Sequence, residues 1–273
     1  MSTLTDQVIV VTGGGRGIGR AICLTLGEAG ATVVPVARTR AEIEETADLI
    51  RTAGGRALAV AADLTAATQV QAMAGHVLSE LGRVDVLLAN AGSFYALGPV
   101  AEVNPENWWR DVEINLLGTF LPCRYLLPAM LAVGRGKVIT MLGGGTGNPL
   151  PYGSGYASSK AAVVRFTECL AHEVREAGIA VVGMSPGFVR TRITEYHVLS
   201  EEGKRYLPGM AQLFDDEAEY PPDQAAAVAR WLCEHDLMPL TGRYMGVGDD
   251  LDALLASAEE IVAQDRRTLR LIP

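Results

Sequence analysis

A tyrosine and a lysine, Tyr156 and Lys160, stand four positions apart in the segment Ser-Gly-Tyr-Ala-Ser-Ser-Lys. Residues four apart on a helix share one face, so a helix here would place the two side chains together. A phenol has an ordinary pKa of about 10, which is too high for easy proton transfer at neutral pH. A neighbouring ammonium group stabilises the phenolate and lowers that pKa. The spacing therefore predicts that Tyr156 is a general acid/base and that Lys160 activates it.

A glycine-rich segment near the start of the chain, residues 12–19, reads Thr-Gly-Gly-Gly-Arg-Gly-Ile-Gly. It follows the apolar run of residues 7–12 and precedes a helical pattern. Glycine permits positive φ angles and a close approach by phosphate. A helix N-terminus adds free N–H groups and a partial positive charge. In this strand–turn–helix position the segment predicts a pyrophosphate-binding turn.

The end of the second predicted strand bears on the choice of nicotinamide cofactor. An acidic residue there would bind the adenosine ribose 2′-hydroxyl and favour NAD. This strand instead ends Val-Ala-Arg-Thr-Arg, which places Arg38 where an acid would stand. Guanidinium groups match phosphate geometry, and Arg16 in the glycine turn can approach from the other side. The sequence therefore predicts NADP(H) as the cofactor.

Apolar strands alternate with helical patterns along the whole chain. Strands that are apolar on both faces indicate an α/β protein with a doubly wound parallel sheet of about seven strands and helices on both faces. No linker or internal repeat divides the chain, so residues 1–273 are expected to form one domain. The predicted strands are 7–12, 32–37, 56–61, 84–89, 137–142, 179–184 and 242–247, and the predicted helices are 17–30, 41–53, 66–81, 105–133 with a bend near Pro122, 155–177, 223–235 and 250–265.

Composition and charge exclude several classes of function. The net charge of −9 would repel nucleic acid and an anionic membrane surface, so neither is an expected partner. The four cysteines are far apart and form no CxxC pair, which argues against a metal site and a disulfide framework. We find no signal-peptide pattern and no apolar run of 18 residues in the sequence. The expectation is a cytoplasmic protein that acts on a small molecule.

Five motifs stand in the order and context of one family, and together they resemble the short-chain dehydrogenase/reductases over nearly the whole chain. The resemblance implies a single-domain Rossmann fold and hydride transfer between NADP(H) and a carbonyl or alcohol. It also implies a homodimer or homotetramer through paired helices, which light scattering would distinguish from a monomer. The motifs are residues 12–19, Asn90-Ala91-Gly92, Asn115, Tyr156-x-x-x-Lys160 and Pro186-Gly187-x-x-x-Thr191.

The resemblance also implies a role for each matching residue. Lys160 would hold the nicotinamide ribose as well as activate Tyr156, and Asn115 would support a water-linked proton path. Asp63 would lie beside the adenine, although it could instead be the N-cap of the next helix. The implied cofactor-binding set is Gly13, Gly15, Arg16, Gly17, Ile18, Gly19, Arg38, Thr39, Asp63, Leu64, Asn90, Ala91, Gly92, Tyr156, Lys160, Pro186, Gly187, Val189 and Thr191.

One position departs from the family pattern. The family has a serine about thirteen residues before the tyrosine, and counting back from Tyr156 gives Gly143, inside three consecutive glycines. Thr140 is expected to point along its strand and Ser154 to cap the tyrosine helix, whereas Thr146 could swing in from the loop. Losing one hydrogen bond to the substrate oxygen could lower the rate by about 10²–10³.

Three interpretations of the missing serine stay open. The substrate can supply its own polarising group, or Thr146 or a water can replace the serine hydroxyl. The third is a non-redox protein on the same fold: a cofactor-binding sensor, a structural partner, or a dehydratase or cyclase. Retention of both Tyr156 and Lys160 favours an enzyme, because a binding protein has no need of an activated tyrosine.

The expected substrate region combines two parts of the sequence. The segment 188–222 is rich in aromatic and apolar residues and corresponds to the family's substrate lid. With Gly143, the side chains Phe94, Tyr152 and Phe188 are predicted to meet the substrate, and the open glycines suit a flat or bulky one. The expected substrate is moderately sized and apolar or aromatic. The four histidines share no motif, so we assign them no catalytic role.

Overall fold

The computed structural model describes residues 3–215 and 219–271, and within them the chain forms one eight-stranded sheet. The strands are β1 (Val8–Thr12), β2 (Thr32–Ala37), β3 (Arg56–Ala57), β4 (Val60–Ala61), β5 (Val86–Ala89), β6 (Gly136–Met141), β7 (Ile179–Ser185) and β8 (Tyr244–Gly246). All pairs are parallel, in the order β3-β2-β1-β5-β6-β7-β8, and β4 also pairs with β2. The predicted α/β fold with a parallel sheet is confirmed.

Helices cover both faces of this sheet. The strand β1 shows why, because Ile9 and Val11 pack into a cluster with the first and tenth helices while Val8 and Val10 pack into the cluster on the opposite face. A strand with both faces buried needs a helical layer on each side. The helices are α1 (Gly17–Glu28), α2 (Arg40–Thr52), α3 (Ala67–Leu81), α4 (Pro105–Val112), α5 (Gly118–Val133), α6 (Ser154–Val174), α7 (Arg192–Leu199), α8 (Glu201–Tyr206), α9 (Gly209–Asp215), α10 (Pro222–Glu234), α11 (Leu251–Ala256) and α12 (Ala258–Ala263).

The third predicted strand, 56–61, is wrong as one element because it is divided into β3 and β4. Both pieces pair with β2, and the pairing is interrupted opposite Pro35. The carbonyl oxygens of Val33 and Ala37 accept hydrogen bonds from this edge, so residues at odd positions of β2 face it. Pro35 has no N–H to donate there, and the ladder is broken at that point.

The long predicted helix 105–133 is also interrupted, but not at Pro122. A π-helical turn, Glu113–Leu117, separates α4 from α5, and Pro122 lies inside α5 without ending it. A π turn is a single wide turn that inserts one residue, and such turns are frequent at functional sites. Asn115 lies at the centre of this turn and is fully buried.

The same helical region, Pro105–Val133, is by length and composition able to cross a membrane, with a mean hydropathy of 1.5 over an 18-residue window. In this fold it packs against α3, β5, β6 and α6. It also buries the carboxylate of Asp111 and the amide of Asn115. It is therefore a core helix of the sheet domain.

Two further predicted elements differ from the structure. The predicted last helix, 250–265, is divided near Ser257 into α11 and α12, and the last strand is shorter than the predicted 242–247. The segment 188–222 contains α7, α8 and α9 in its described part, whereas residues 216–218 of the predicted lid lie outside the described residues.

Thr191 is the N-cap of α7 and forms a capping box, in which the side chains of Thr191 and Thr194 each accept a hydrogen bond from the other residue's backbone N–H.

Candidate active site

A cleft of about 470 Å³ lies at the carboxyl edge of the sheet, where the loops after β1, β2, β5, β6 and β7 meet. In a parallel sheet this edge is where ligands bind, and the volume is in the usual range for a small-molecule site. Of the residues singled out in the sequence, those that line the cleft are Gly13, Gly15, Arg16, Gly17, Ile18, Gly19, Arg38, Thr39, Asp63, Leu64, Asn90, Ala91, Gly92, Tyr156, Lys160, Pro186 and Thr191.

The glycine turn forms one wall of the cleft. Gly13 and Gly17 have φ angles of +67° and +52°, which a residue with a side chain rarely adopts. A β-carbon at Gly19 would lie 2.1 Å from the Gly13 carbonyl oxygen, so the backbone is packed too closely for any side chain. The turn leads directly into the N-terminus of α1, where no side chain caps the helix. This bare cradle fits a pyrophosphate group.

The loop after β5 is joined to the glycine turn. Asn90 donates its side-chain amide to the Thr12 carbonyl at 2.9 Å, and the Ala91 N–H donates to the Thr12 hydroxyl at 3.1 Å. These two bonds fix the loop of residues 90–92 across the middle of the cleft.

Arg38 and Asp63 lie at the far end of the cleft, with Arg38 Nη1 4.0 Å from Asp63 Oδ2. Asp63 Oδ1 accepts from the N–H and the hydroxyl of Thr65. Although burial acts to raise it, the pKa of Asp63 is held below its ordinary value by the Thr65 hydrogen bonds and the Arg38 charge. The alternative of Asp63 as a helix N-cap is wrong, because α3 begins later and Ala66 precedes it.

Glu42, a carboxylate that was not predicted from the sequence, also lines this part of the cleft. Its Oε1 lies 3.4 Å from Arg16 Nη1 and 3.8 Å from Arg192 Nη2. The Arg16 guanidinium therefore lies close to the carboxylate of Glu42, while Arg38 lies beside Asp63.

Lys160 is buried at the base of the cleft, on the tyrosine helix α6. Its ammonium group donates to the Met141 carbonyl at 2.9 Å and lies 5.8 Å from the centre of the Tyr156 ring. Burial lowers the pKa of Lys160 to about 8, because the charged form loses its water. The two side chains thus share one face of α6, as their spacing predicts.

The expected lowering of the Tyr156 pKa is wrong for this structure. Burial raises the pKa of Tyr156, and the negative charge of Asp111 acts in the same direction. The Lys160 ammonium donates to a carbonyl instead of to the phenol oxygen, so its stabilisation of a phenolate is outweighed by desolvation.

The Tyr156 ring is held between two neighbours. On one side Phe94 is stacked on it, with ring centres 4.3 Å apart and planes 11° apart. At the tip of the ring the backbone of Gly143 is so close that a β-carbon there would lie 2.0 Å from the phenol oxygen. The phenol thus occupies the place that a side chain at position 143 would take.

The expectation that the three glycines leave open space is therefore only partly right. A β-carbon at Gly144 would meet nothing within 4 Å, but one at Gly145 would lie 2.7 Å from the Ala157 β-carbon. Gly143 is filled by the tyrosine, so open space exists at Gly144 alone among these three.

None of the four hydroxyl-bearing residues near position 143 takes the place of the missing serine in this structure. They are Thr140, Thr146, Tyr152 and Ser154. Thr140 is buried in a hydrogen bond to Thr167 at 2.6 Å, and Thr146 donates to the Gly143 carbonyl at 2.5 Å. The expected N-cap role of Ser154 is wrong, because α6 begins at Ser154 itself. The Ser154 oxygen accepts from the Trp108 indole at 3.0 Å, and Tyr152 is exposed with its ring 5.1 Å from that of Tyr206.

Asn115 does not line the cleft but lies behind it. Its side-chain amide donates to the Ser93 carbonyl at 2.8 Å and to the Ser159 hydroxyl at 2.9 Å, and its oxygen accepts from the Ser93 N–H. Ser159 in turn donates to the Tyr156 carbonyl. The π turn therefore ties the loop after β5 to the first turns of the tyrosine helix.

Two buried residues near Tyr156 were missed from the sequence. Asp111 accepts from the Ser93 hydroxyl and from the N–H groups of Tyr95 and Ala96, which holds the loop that carries Phe94. His197 places Nε2 2.8 Å from the Phe94 carbonyl and its ring 4.4 Å from the Phe94 ring. Asp111 lies in the polar helix α4 beside Arg110, so its sequence gives no sign that it is buried, and nothing in the sequence relates residue 197 to residue 94.

The other predicted contacts are not brought to the cleft wall. Phe94 is buried behind Tyr156, and Phe188 is stacked on Phe214 at 5.2 Å between ring centres. Gly187 is turned outward next to Tyr220, and Val189 is buried in a bridge to the same residue. The apolar cleft walls near Tyr156 are instead Tyr95, Ile114, Leu142 and Ile193.

Comparison with known proteins agrees with this arrangement. The family profile described as short chain dehydrogenase matches residues 7–202. A short chain dehydrogenase of Pseudocercospora fijiensis is 31% identical over 269 residues, covering 94% of this chain and 85% of its own.

Two solved structures are similar over most of their lengths. A metagenomic short-chain oxidoreductase in complex with NADP is 31% identical with a TM-score of 0.72, and the match covers 86% of this chain and 93% of that one. An actinorhodin polyketide ketoreductase with NADPH is 28% identical with a TM-score of 0.82, covering 89% and 97%.

The parallel sheet, the glycine turn and the tyrosine–lysine pair at one cleft define a Rossmann-fold oxidoreductase. The chain belongs to the short-chain dehydrogenase/reductase family.

The contact between Gly143 and Tyr156 predicts different results for two neighbouring glycines, neither of which has a positive φ angle. Gly143→Ala should displace the tyrosine ring and lower the free energy of unfolding by about 1–3 kcal/mol through overpacking. Gly144→Ala is the matched control and should change it by less than about 0.5 kcal/mol. Urea unfolding and crystal structures of both variants test this, and equal stability with an unmoved ring would contradict it.

The lowered pKa of Lys160 predicts a pH dependence of stability. Between pH 8 and 10.5 an unfolded lysine keeps the proton that the folded state releases, so stability contributed by this group rises with pH. The difference in unfolding free energy between wild type and Lys160→Met should increase across this window by at most about 1.4 kcal/mol per pH unit. Taking the difference cancels the opposite effects of the buried thiols and of Tyr156, and a flat difference would refute the shift.

Proposed function

We propose that this protein is an NADP(H)-dependent carbonyl reductase or alcohol dehydrogenase acting on a moderately sized, apolar or aromatic substrate. The observation that carries the proposal is that Tyr156 and Lys160 line the same cleft as the glycine turn. The apolar side chains Ile114, Leu142 and Ile193 in that cleft support an apolar substrate. The NADPH-bound ketoreductase relative supports reduction of a ketone.

In this proposal NADPH, when bound, supplies the hydride that reduces the carbonyl carbon. Tyr156 donates the proton from its phenol to the substrate oxygen, as a general acid. Burial raises the pKa of Tyr156, so the phenol is protonated at neutral pH, which is the form that a general acid needs. Lys160 carries a positive charge to the base of the cleft, where it can contact a ribose hydroxyl and the phenol.

Asn115 serves as a positioning residue in the proposal. Its amide joins Ser93 to Ser159, and Ser159 bonds the backbone of Tyr156, so it fixes the tyrosine relative to the loop after β5. A water-linked proton path through Asn115 remains a prediction from the family resemblance. The expected homodimer or homotetramer likewise remains a prediction.

The non-redox alternative has no specific observation in its favour. A sensor, structural partner, dehydratase or cyclase would leave unexplained why a phenol and an ammonium group are held side by side in the cofactor cleft. Family membership and the reductase relatives favour redox chemistry.

The proposed role of Tyr156 predicts the effect of Tyr156→Phe. This variant keeps the ring that stacks on Phe94 and removes only the proton donor. Ketone reduction, followed by NADPH absorbance against a panel of aromatic ketones, should fall by about 10²–10⁴. NADPH affinity, measured by fluorescence titration, should stay within a few-fold of wild type, and full activity in the variant would refute the role.

The proposed NADP(H) preference rests on Arg38, which lines the cleft next to Asp63. Arg38→Asp removes a charge-assisted partner of the 2′-phosphate and should lower the preference for NADPH over NADH about tenfold to a hundredfold. Arg40→Asp is the matched control, because Arg40 pairs with Glu44 on the surface of α2 and makes the same change in charge. The measurement is the dissociation constant of each cofactor by titration, and equal effects of the two variants would contradict specific recognition.

A further inference from the structure

Three hydroxyl groups close to Tyr156 are already engaged in other hydrogen bonds. Among the described residues, the Thr146 hydroxyl donates to the Gly143 carbonyl, Ser93 donates to Asp111, and Ser159 donates to the Tyr156 carbonyl. A hydroxyl has a single proton, so none of these can donate to a substrate without breaking an existing bond. Within the apolar wall, Tyr95 carries a hydroxyl group, and its ring packs edge-on against Tyr196.

Position 143, which carries a serine in the family pattern, also provides no hydrogen-bond donor in this chain. Gly143 has no side chain, and a β-carbon there would collide with the phenol oxygen of Tyr156 at 2.0 Å. Phe94 is stacked on the ring, with ring centres 4.3 Å apart, so a shift of the ring would disturb that packing. Position 143 therefore adds no second donor beside the Tyr156 phenol, whose pKa is raised by burial.

We propose that the substrate is a hydroxyaryl ketone whose carbonyl oxygen already accepts a hydrogen bond from a hydroxyl of the same molecule. This rests on the proposed reductase function and narrows its substrate class. The internal hydroxyl supplies the second hydrogen bond to the oxygen, in place of a serine side chain. Such a molecule is flat, which suits the open space at Gly144 and the apolar walls.

The reaction balances with this substrate. A hydride from NADPH brings an electron pair to the carbonyl carbon, and the π electrons of the C=O bond move to oxygen. That oxygen takes the proton of the Tyr156 phenol, which is replaced from water. The internal hydroxyl keeps its own proton and only strengthens its hydrogen bond as charge develops on the oxygen, an effect that is larger in an apolar cleft than in water.

The test compares three ketones of one skeleton with the wild-type enzyme and NADPH. They are alpha-tetralone, its peri-hydroxy derivative, and the methyl ether of that derivative, which has similar electronics but no proton to donate. Each value of kcat/KM is divided by the rate of borohydride reduction of the same ketone, which removes intrinsic reactivity. We expect the peri-hydroxy ketone to exceed its methyl ether by about a hundredfold.

A second readout does not depend on turnover. In a complex of the enzyme with NADP⁺ and the peri-hydroxy ketone, the chelated hydroxyl proton should keep its low-field NMR resonance. Loss of that resonance on binding would show that the protein opens the internal hydrogen bond, and would overturn the inference.

The remaining outcomes separate this inference from the proposed function. Equal normalised rates for all three ketones would mean that the protein supplies the second donor, which overturns the inference and leaves a reductase. Tyr95→Phe tests the nearest rival, because an equal hundredfold loss for every ketone in this variant would identify Tyr95 as that donor. No reduction of these or any other carbonyl compounds would overturn the proposed function and the inference with it.

Discussion

The fixed position of the Tyr156 ring is the constraint on which the rest of this site depends. The ring is stacked on Phe94 and its phenol oxygen lies against the backbone of Gly143, and these two contacts fix the position of the phenol. Asp111 holds the loop that carries Phe94, and Asn115 holds the helix that carries Tyr156. A rigid stack of this kind positions a proton donor without any hydrogen bond to its oxygen, which leaves that oxygen for a ligand.

Desolvation shifts the two central groups towards the same neutral state. It raises the pKa of Tyr156 and lowers that of Lys160 to about 8, so the charged form of each group is less favoured than in water, although Lys160 still carries its charge at neutral pH. The nearby Asp111 strengthens the effect on the phenol, because a negative charge opposes a phenolate. The phenol is thus in the protonated form that a general acid requires, and its raised pKa also makes it a weaker acid than a phenol in water.

The sequence was sufficient for the sheet but not for the contacts that define the site. Burial of both faces of β1 follows from its uninterrupted apolar residues, and the interruption opposite Pro35 has a cause that is visible in the sequence but easily overlooked. The edge-on contact of His197 with Phe94 joins residues about a hundred positions apart, so no local pattern could indicate it. The same holds for Gly143, since a glycine does not reveal whether its space is empty or occupied by a distant ring.

The aromatic residues that the sequence predicts to contact the substrate mostly pack against other aromatic rings. Phe188 stacks on Phe214, which also lies 4.2 Å below the Arg190 guanidinium, and Tyr152 packs on Tyr206. Substrate selection is left to the apolar walls near Tyr156, whose aliphatic members contribute shape but no hydrogen bonds. Apolar walls discriminate weakly between ligands of similar outline, whereas a site that offers few polar contacts to the substrate oxygen rewards a ligand that satisfies its own remaining polar groups. The polarity missing from position 143 is therefore best supplied by the substrate.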